Sequence, residues 1–168
     1  SKGMDRRTRP ERIAAVLATI DADIIALQEV IGPGKSEPGH AEQIGAALGM
    51  GWVMAPTREL RQRQFGNVVL SRFPIREHSR IDLSWKTCEP RCSQRVAIDI
   101  GEAGVLQVYN AHLGTALLER RYQAPRLEHV RAVRGHRLEQ GVGRRVDDEH
   151  LFLVGADHVV VQRGAGDD

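Results

Sequence analysis

Apolar residues recur along this chain with two different periods, and the switches between them divide it into elements. Ile13, Val16, Leu17 and Ile20 fall at i, i+3, i+4 and i+7, which predicts a helix with one apolar face. The preceding Thr8-Arg9-Pro10-Glu11 has the form of a capping box, with Pro10 suited to the first turn. Ile24, Ile25, Ala26 and Leu27 then run unbroken and end at Gln28-Glu29. A strand with one wet face would alternate, so this run predicts a strand buried on both faces. The Gly- and Pro-rich segment 31–40 reads as a loop. A second helix is expected over 41–49, with Ile44, Ala47 and Leu48 inward and Gly49 closing it. Trp52 to Ala55 suits a short strand, while the polar, basic stretch 57–64 is either a solvated loop or a rim facing phosphate.

Four strands are expected next, at 67–71, 75–83, 95–100 and 106–113. Phe73-Pro74 marks the first join, and Gly101-Glu102-Ala103-Gly104 forms a turn between the last two. A helical stretch rich in arginine starts near Leu117 and meets Pro125, which kinks or splits it. The arginines read as an exposed helix face. A short apolar strand at 151–155 follows, and the domain is expected to occupy 1–161 with a disordered tail over 162–168. No internal repeat is visible. Strands in consecutive hairpins with helices before and after predict sheets packed together and covered by helices, an α+β fold.

Composition changes this picture only in places. With 168 residues, 41% hydrophobic, the chain is the size of one domain with an ordinary core. At 4% aromatic, that core rests on Val, Ile, Leu and Ala. The net charge of +2 permits a polyanionic partner without demanding one. Cys88 and Cys92 form a C-x3-C pair without the further ligands a zinc site needs, so free thiols in a reducing, cytoplasmic setting are expected. No apolar run approaches the ~20 residues of a membrane span. No secretory signal is visible in a chain that starts at Ser1, and a monomer is expected.

Three places could carry chemistry. Glu29 ends a buried strand, where a carboxylate faces water, pairs with a cation or binds a metal; one strand-borne carboxylate plus waters and phosphate oxygens is a common way to hold Mg²⁺. Asn110 and His112 lie two apart on one strand and so share a face, either as satisfied core groups or as part of a site. A later strand ends in Gly155-Ala156-Asp157. Metal-assisted attack of water on a phosphate ester needs such parts: a cation on the phosphate oxygens, a group that positions water, and a donor for the developing charge.

In that order and spacing the segments resemble the endonuclease/exonuclease/phosphatase superfamily of Mg²⁺-dependent phosphoesterases. ADIIALQEV is similar to the family's metal-binding Glu strand, and GNVVLSRFPI to its central strand pair. EPRCSQRVAIDI, LQVYNAHLG and ERRYQ resemble a bacterial subgroup that reads EPRGAL, NTHLG and ERxxQ. The resemblance implies a four-layer α/β/β/α sandwich of the DNase I type, incomplete here, that hydrolyses a phosphoester; nucleic acid is one candidate substrate. It further implies Mg²⁺ (or Mn²⁺) at Glu29, contact of His112 with the scissile phosphate, a supporting or phosphate-binding Asn110, and a phosphate contact from Arg91. Asn67 is expected to order backbone between the sheets rather than touch substrate.

Departures from the pattern set further expectations. The family's first, Asn-bearing strand would precede Ser1. Its Gly-Asp-Phe-Asn motif is Gly155-Ala156-Asp157-His158 here, so the catalytic Asp157 is displaced by one residue, which on a regular strand turns it to the opposite face. The family's closing Ser-Asp-His motif has no counterpart. The expectation is a truncated product with little or no turnover. A third reading, a nucleic-acid-binding module using the arginines, predicts salt-dependent binding that persists in EDTA.

Overall fold

Proline holds φ near the helical value and lacks the N–H that a first turn cannot use, and Pro10 opens α1 (Pro10–Ile20). A computed structural model describes the chain over residues 9–35, 37–60, 62–132, 149–154 and 161–162. Arg9 takes the position before α1 and no side chain caps the helix, so it starts one residue later than a Thr8 capping box requires. Thr8 lies outside the described residues. The face that packs inward is also rotated from the expected one. Pro10, Ala14 and Leu17 are buried, while Val16 is 60% exposed. Asp21, in the left-handed region, ends α1 by donating its N–H to the Leu17 carbonyl.

Strand β1 (Ile24–Gly34) is buried on both faces at its start, as its unbroken apolar run predicts, and it continues through four residues of the expected loop. It pairs antiparallel with β3 (Arg63–Ser71), which pairs with β2 (Gly51–Leu60). The polar stretch 57–64 is therefore not a loop. Residues 57–60 and 63–64 belong to the far end of a β2–β3 hairpin, where exposed side chains stand on paired backbone. Helix α2 (His40–Leu48) lies between β1 and β2, buries Ala41, Ile44 and Gly45, and closes at Gly49 with φ 64°. Ala47, expected inward, faces solvent.

The second sheet runs β4 (Ile75–Asp82), β5 (Cys92–Asp99), β6 (Val105–Ala111) and β7 (Glu149–Val154), in that order. Its first three strands are antiparallel, joined between β5 and β6 by the predicted turn, while β7 lies parallel to β6. Between β6 and β7 the chain forms α3 (Leu117–Ala132), which runs on through Pro125 rather than splitting. A two-residue strand β8 (Val161–Gln162) returns to the first sheet beside β1, giving the order β2-β3-β1-β8. Residues 163–168 of the expected tail lie outside the described residues.

Three apolar clusters mark three interfaces between layers. Ala14, Leu17, Ile25, Ile44, Val68 and Leu70 join α1 and α2 to the first sheet. Ile24, Ala26 and Val69 meet Val96, Ile98, Leu106 and Val108 between the sheets. Leu83, Ala111 and Leu127 join α3 to the outer face of the second sheet. The alternation of Ile24 and Ala26 against Ile25, and of Val69 against Val68 and Leu70, assigns successive residues to opposite interfaces. The result is a four-layer α/β/β/α sandwich.

Candidate active site

At one end the apolar interface between the sheets gives way to amides. Asn110, wholly buried, donates to the carbonyls of Leu27 at 2.9 Å and Val68 at 3.1 Å, tying the second sheet to the first. Asn67 returns the link by donating to the carbonyls of Cys92 and Asn110. It thus orders backbone between sheets, as expected. Gln94 donates to Val53 O, and Gln28 to Ala111 O at 3.0 Å. Buried amides cost stability unless bonded, and here each spans the cleft.

Glu29 leaves the end of this seam by a local break in β1. Leu27 pairs with Val68 but Val30 pairs with Gly66, so Gln28 and Glu29 together oppose Asn67, a β-bulge. In an unbroken strand Glu29 would share the helix-covered face of Ile25 and Leu27. The extra residue turns it away, and it adopts φ 57°, in the left-handed region where a side chain is strained. Its carboxylate is 56% exposed and stands with Oε1 3.7 Å from His112 Nδ1. His112 follows β6 on the inward face of Leu106, Val108 and Asn110, so each sheet brings one of the pair.

Arg91 reaches the same imidazole from the loop before β5, with Nη1 3.1 Å from His112 Nδ1. A guanidinium can only donate, so Nδ1 accepts and the ring proton sits on Nε2. Arg91 is in turn held by Glu89 at 2.8 Å, whose other oxygen pairs with Arg58 of the β2–β3 hairpin at 2.7 Å. Arg91 is mostly buried and its Nε has no protein partner. The ERRYQ motif braces the loop after His112. Gln123, wholly buried on α3, accepts from Gly114 N and donates to Leu83 O and to the Glu119 carboxylate. A Cβ on Gly114 would lie 1.8 Å from that carboxylate carbon, so a side chain there would push Glu119 out of its place beside Gln123.

Glu29, Arg91 and His112 thus come together, and Asn110 lies buried beneath them with its amide committed to backbone. Asp157 lies outside the described residues. Among the described residues no three His, Cys, Asp or Glu side chains gather as a metal cluster. Gln28, Gln94, Glu89 and Arg58 were not singled out from sequence. For Glu89 the signal was available, since it is the acid of the EPR motif two residues before Arg91.

The chain belongs to the endonuclease/exonuclease/phosphatase family, a family of phosphoester hydrolases, whose sequence profile matches residues 1–157. A search of curated proteins found no match. Among solved structures, the chain is similar to an endonuclease/exonuclease/phosphatase from Beutenbergia cavernae, at TM-score 0.58 and 22% identity, over 73% of this chain and 39% of that one. TDP2 from Caenorhabditis elegans matches at TM-score 0.53 and 21% identity, over 79% of this chain and 38% of that protein. ANGEL2, a 2′,3′-cyclic phosphatase in complex with adenosine-2′,3′-vanadate, matches at TM-score 0.61 and 14% identity, over 86% of this chain and 42% of that protein. At these identities the likeness shows the fold. The chain spans about two fifths of the length of each of these three. Among the described residues no helix is long and apolar enough to cross a membrane.

Proposed function

We propose that this chain carries the core of a phosphoester hydrolase site in which Glu29 binds Mg²⁺ or Mn²⁺ and His112 donates to the scissile phosphate. The observation that carries the reading is the convergence of Glu29 and His112, one from each sheet, at 3.7 Å. A single, half-exposed carboxylate suits Mg²⁺, which keeps several waters and takes further oxygens from substrate; it does not suit zinc, which needs more protein ligands. When bound there, the cation supplies neutralisation of charge on the phosphate oxygens. His112, with its proton on Nε2, serves as a neutral donor to the phosphate, and Arg91 holds that tautomer while adding positive charge. Asn110 acts as a positioning residue: its bonds to Leu27 and Val68 fix the strand before Glu29 relative to His112. Asp157 is assigned the orienting of water. In support, the parallel register sets Val154 level with Asn110, so the chain leaves β7 at the site's end of the sheet three residues before Asp157.

A second reading, phosphate binding without turnover, is motivated by the one-residue displacement of Asp157 from the place of the acid in the family's Gly-Asp-Phe-Asn motif. Hydrolysis of bis(4-nitrophenyl) phosphate with and without Mg²⁺ separates the two. The hydrolase reading expects Mg²⁺-dependent turnover that falls by about two orders of magnitude or more in Glu29→Ala. Turnover indifferent to Glu29→Ala would refute it, and phosphate binding with no turnover would leave the second reading.

A further inference from the structure

Three of the chain's seven aromatic residues (two Trp, two Tyr, three Phe) sit partly exposed around the loop that delivers Arg91 to His112, each with a cation over its ring. Lys86 Nζ lies 4.5 Å from the centre of the Trp85 ring. Arg126 lies 4.2 Å over Tyr122, and Trp85 and Tyr122 meet with centroids 6.1 Å apart. On the hairpin side Arg58 lies 4.9 Å over Phe65 while its guanidinium pairs with Glu89 of the same loop. The loop is drawn closed at its base, because Ser84 Oγ accepts from Arg91 N and Leu83 N donates to Arg91 O. Trp85 is thus one residue from the group that bonds Arg91. In a core built almost wholly of aliphatic residues, these rings contribute little to packing.

We propose that this rim binds the unpaired bases of a single-stranded oligonucleotide whose phosphate lies at Glu29 and His112, a proposal that rests on the phosphoester-hydrolase reading of that site. Partly exposed rings, each with a cation within reach, suit a strand in which every base carries a phosphate beside it. The cations now over the rings are no bar. An exposed cation–aromatic contact shifts an equilibrium only about two- to five-fold, whereas a base on an aromatic ring shifts it about five- to more than one-hundred-fold. A base therefore displaces the cation, and Lys86, Arg126 or Arg58 swings to the adjacent phosphate. A duplex offers no free base faces and does not fit.

Binding is measured in EDTA at about 0.1 M salt, following Trp85 emission in a Trp52→Phe background. The probes are single strands of about eight nucleotides in deoxy and ribo forms, the deoxy strand as a duplex, and an abasic strand with the same phosphates. The expected result is quenching of Trp85 and binding of either single strand at least about ten-fold tighter than the abasic strand. Trp85→Ala and Tyr122→Leu should each erase much of that difference while leaving abasic binding unchanged. Equal affinity for abasic and base-bearing strands, or for duplex and single strand, overturns the proposal. Should Trp85→Ala fail to melt cooperatively, Tyr122→Leu and the emission of the unaltered Trp85 decide between these outcomes. Because no metal or turnover is involved, base-dependent binding can fail while hydrolysis of the nitrophenyl ester stands, and the reverse.

Discussion

Glu29 shows what one residue can cost and bring. Its φ of 57° is one a side chain adopts at a penalty of about 1–2 kcal/mol, and the strain is what turns the carboxylate from the helix-covered face to His112. Glu29→Gly and Glu29→Ala both remove the carboxylate, but only glycine relieves the backbone. The glycine variant should be the more stable of the two by about 1 kcal/mol in urea unfolding, with both inactive. Equal stabilities would mean that the bulge relaxes without glycine. The sequence offered Glu29 as the end of a strand, whereas β1 runs on to Gly34 past a bulge, because apolar periodicity says nothing about where an extra residue enters a ladder. Cys92 illustrates a quieter effect. Burial raises its thiol to about 11, with Ala55 O as acceptor of a long S–H contact. The folded chain then holds a proton that the unfolded chain gives up near 9. Stability from this group is complete below about pH 9 and drains away as pH rises toward 11, at up to about 1.4 kcal/mol per pH unit. Cys92→Ala should flatten that fall, and Ellman's reagent should label Cys88 well before Cys92 in the native chain.

Among the elements, α3 links the fold to the site most directly. Its arginines stand out in the sequence as an exposed face, yet the loop after His112 is braced by the buried Glu119 and Gln123 together with Arg120, which donates to Gly114 O at 2.7 Å. Gln123→Leu keeps the volume but leaves Gly114 N, Leu83 O and the Glu119 carboxylate short of partners. A loss of about 2–5 kcal/mol is expected, read from the urea midpoint; less than 1 kcal/mol would mean that water replaces the amide. Strands proved more legible than their lengths. The unbroken run at β1 gave type and burial correctly, because apolar periodicity reflects the layers directly. The end of the β2–β3 hairpin reads as loop, since a wet hairpin arm carries no apolar signal. Pro125 likewise reads as a break from propensity alone, whereas Leu127 and Gln123 hold the helix on either side of it.

Among the described residues the molecule has three apolar interfaces and one polar seam, and the candidate site lies at the end of the seam. The four-layer arrangement was legible because each buried element carried its own period and because the ordered segments resembled a known family. The seam was not. Asn67, Gln94 and Asn110 are ordinary polar residues until the two sheets are stacked, and only then do their carbonyl partners come from the opposite sheet. The first sheet also has a weakness that the stacking does not remedy. Among the described residues, Ile24 and Ile25 of β1 find their second neighbour in Val161–Gln162, more than a hundred positions along the chain. Removing residues 155–168 should therefore lower soluble yield and increase thioflavin-positive aggregates; an equally soluble, cooperatively melting shortened chain would show that β1 needs no second neighbour. The same pairing bears on synthesis. As the ribosome extends the polypeptide, the Ile24–Ile25 end of β1 waits with one side unsatisfied while more than a hundred further residues emerge, and in that interval a chaperone or a neighbouring nascent chain competes for it.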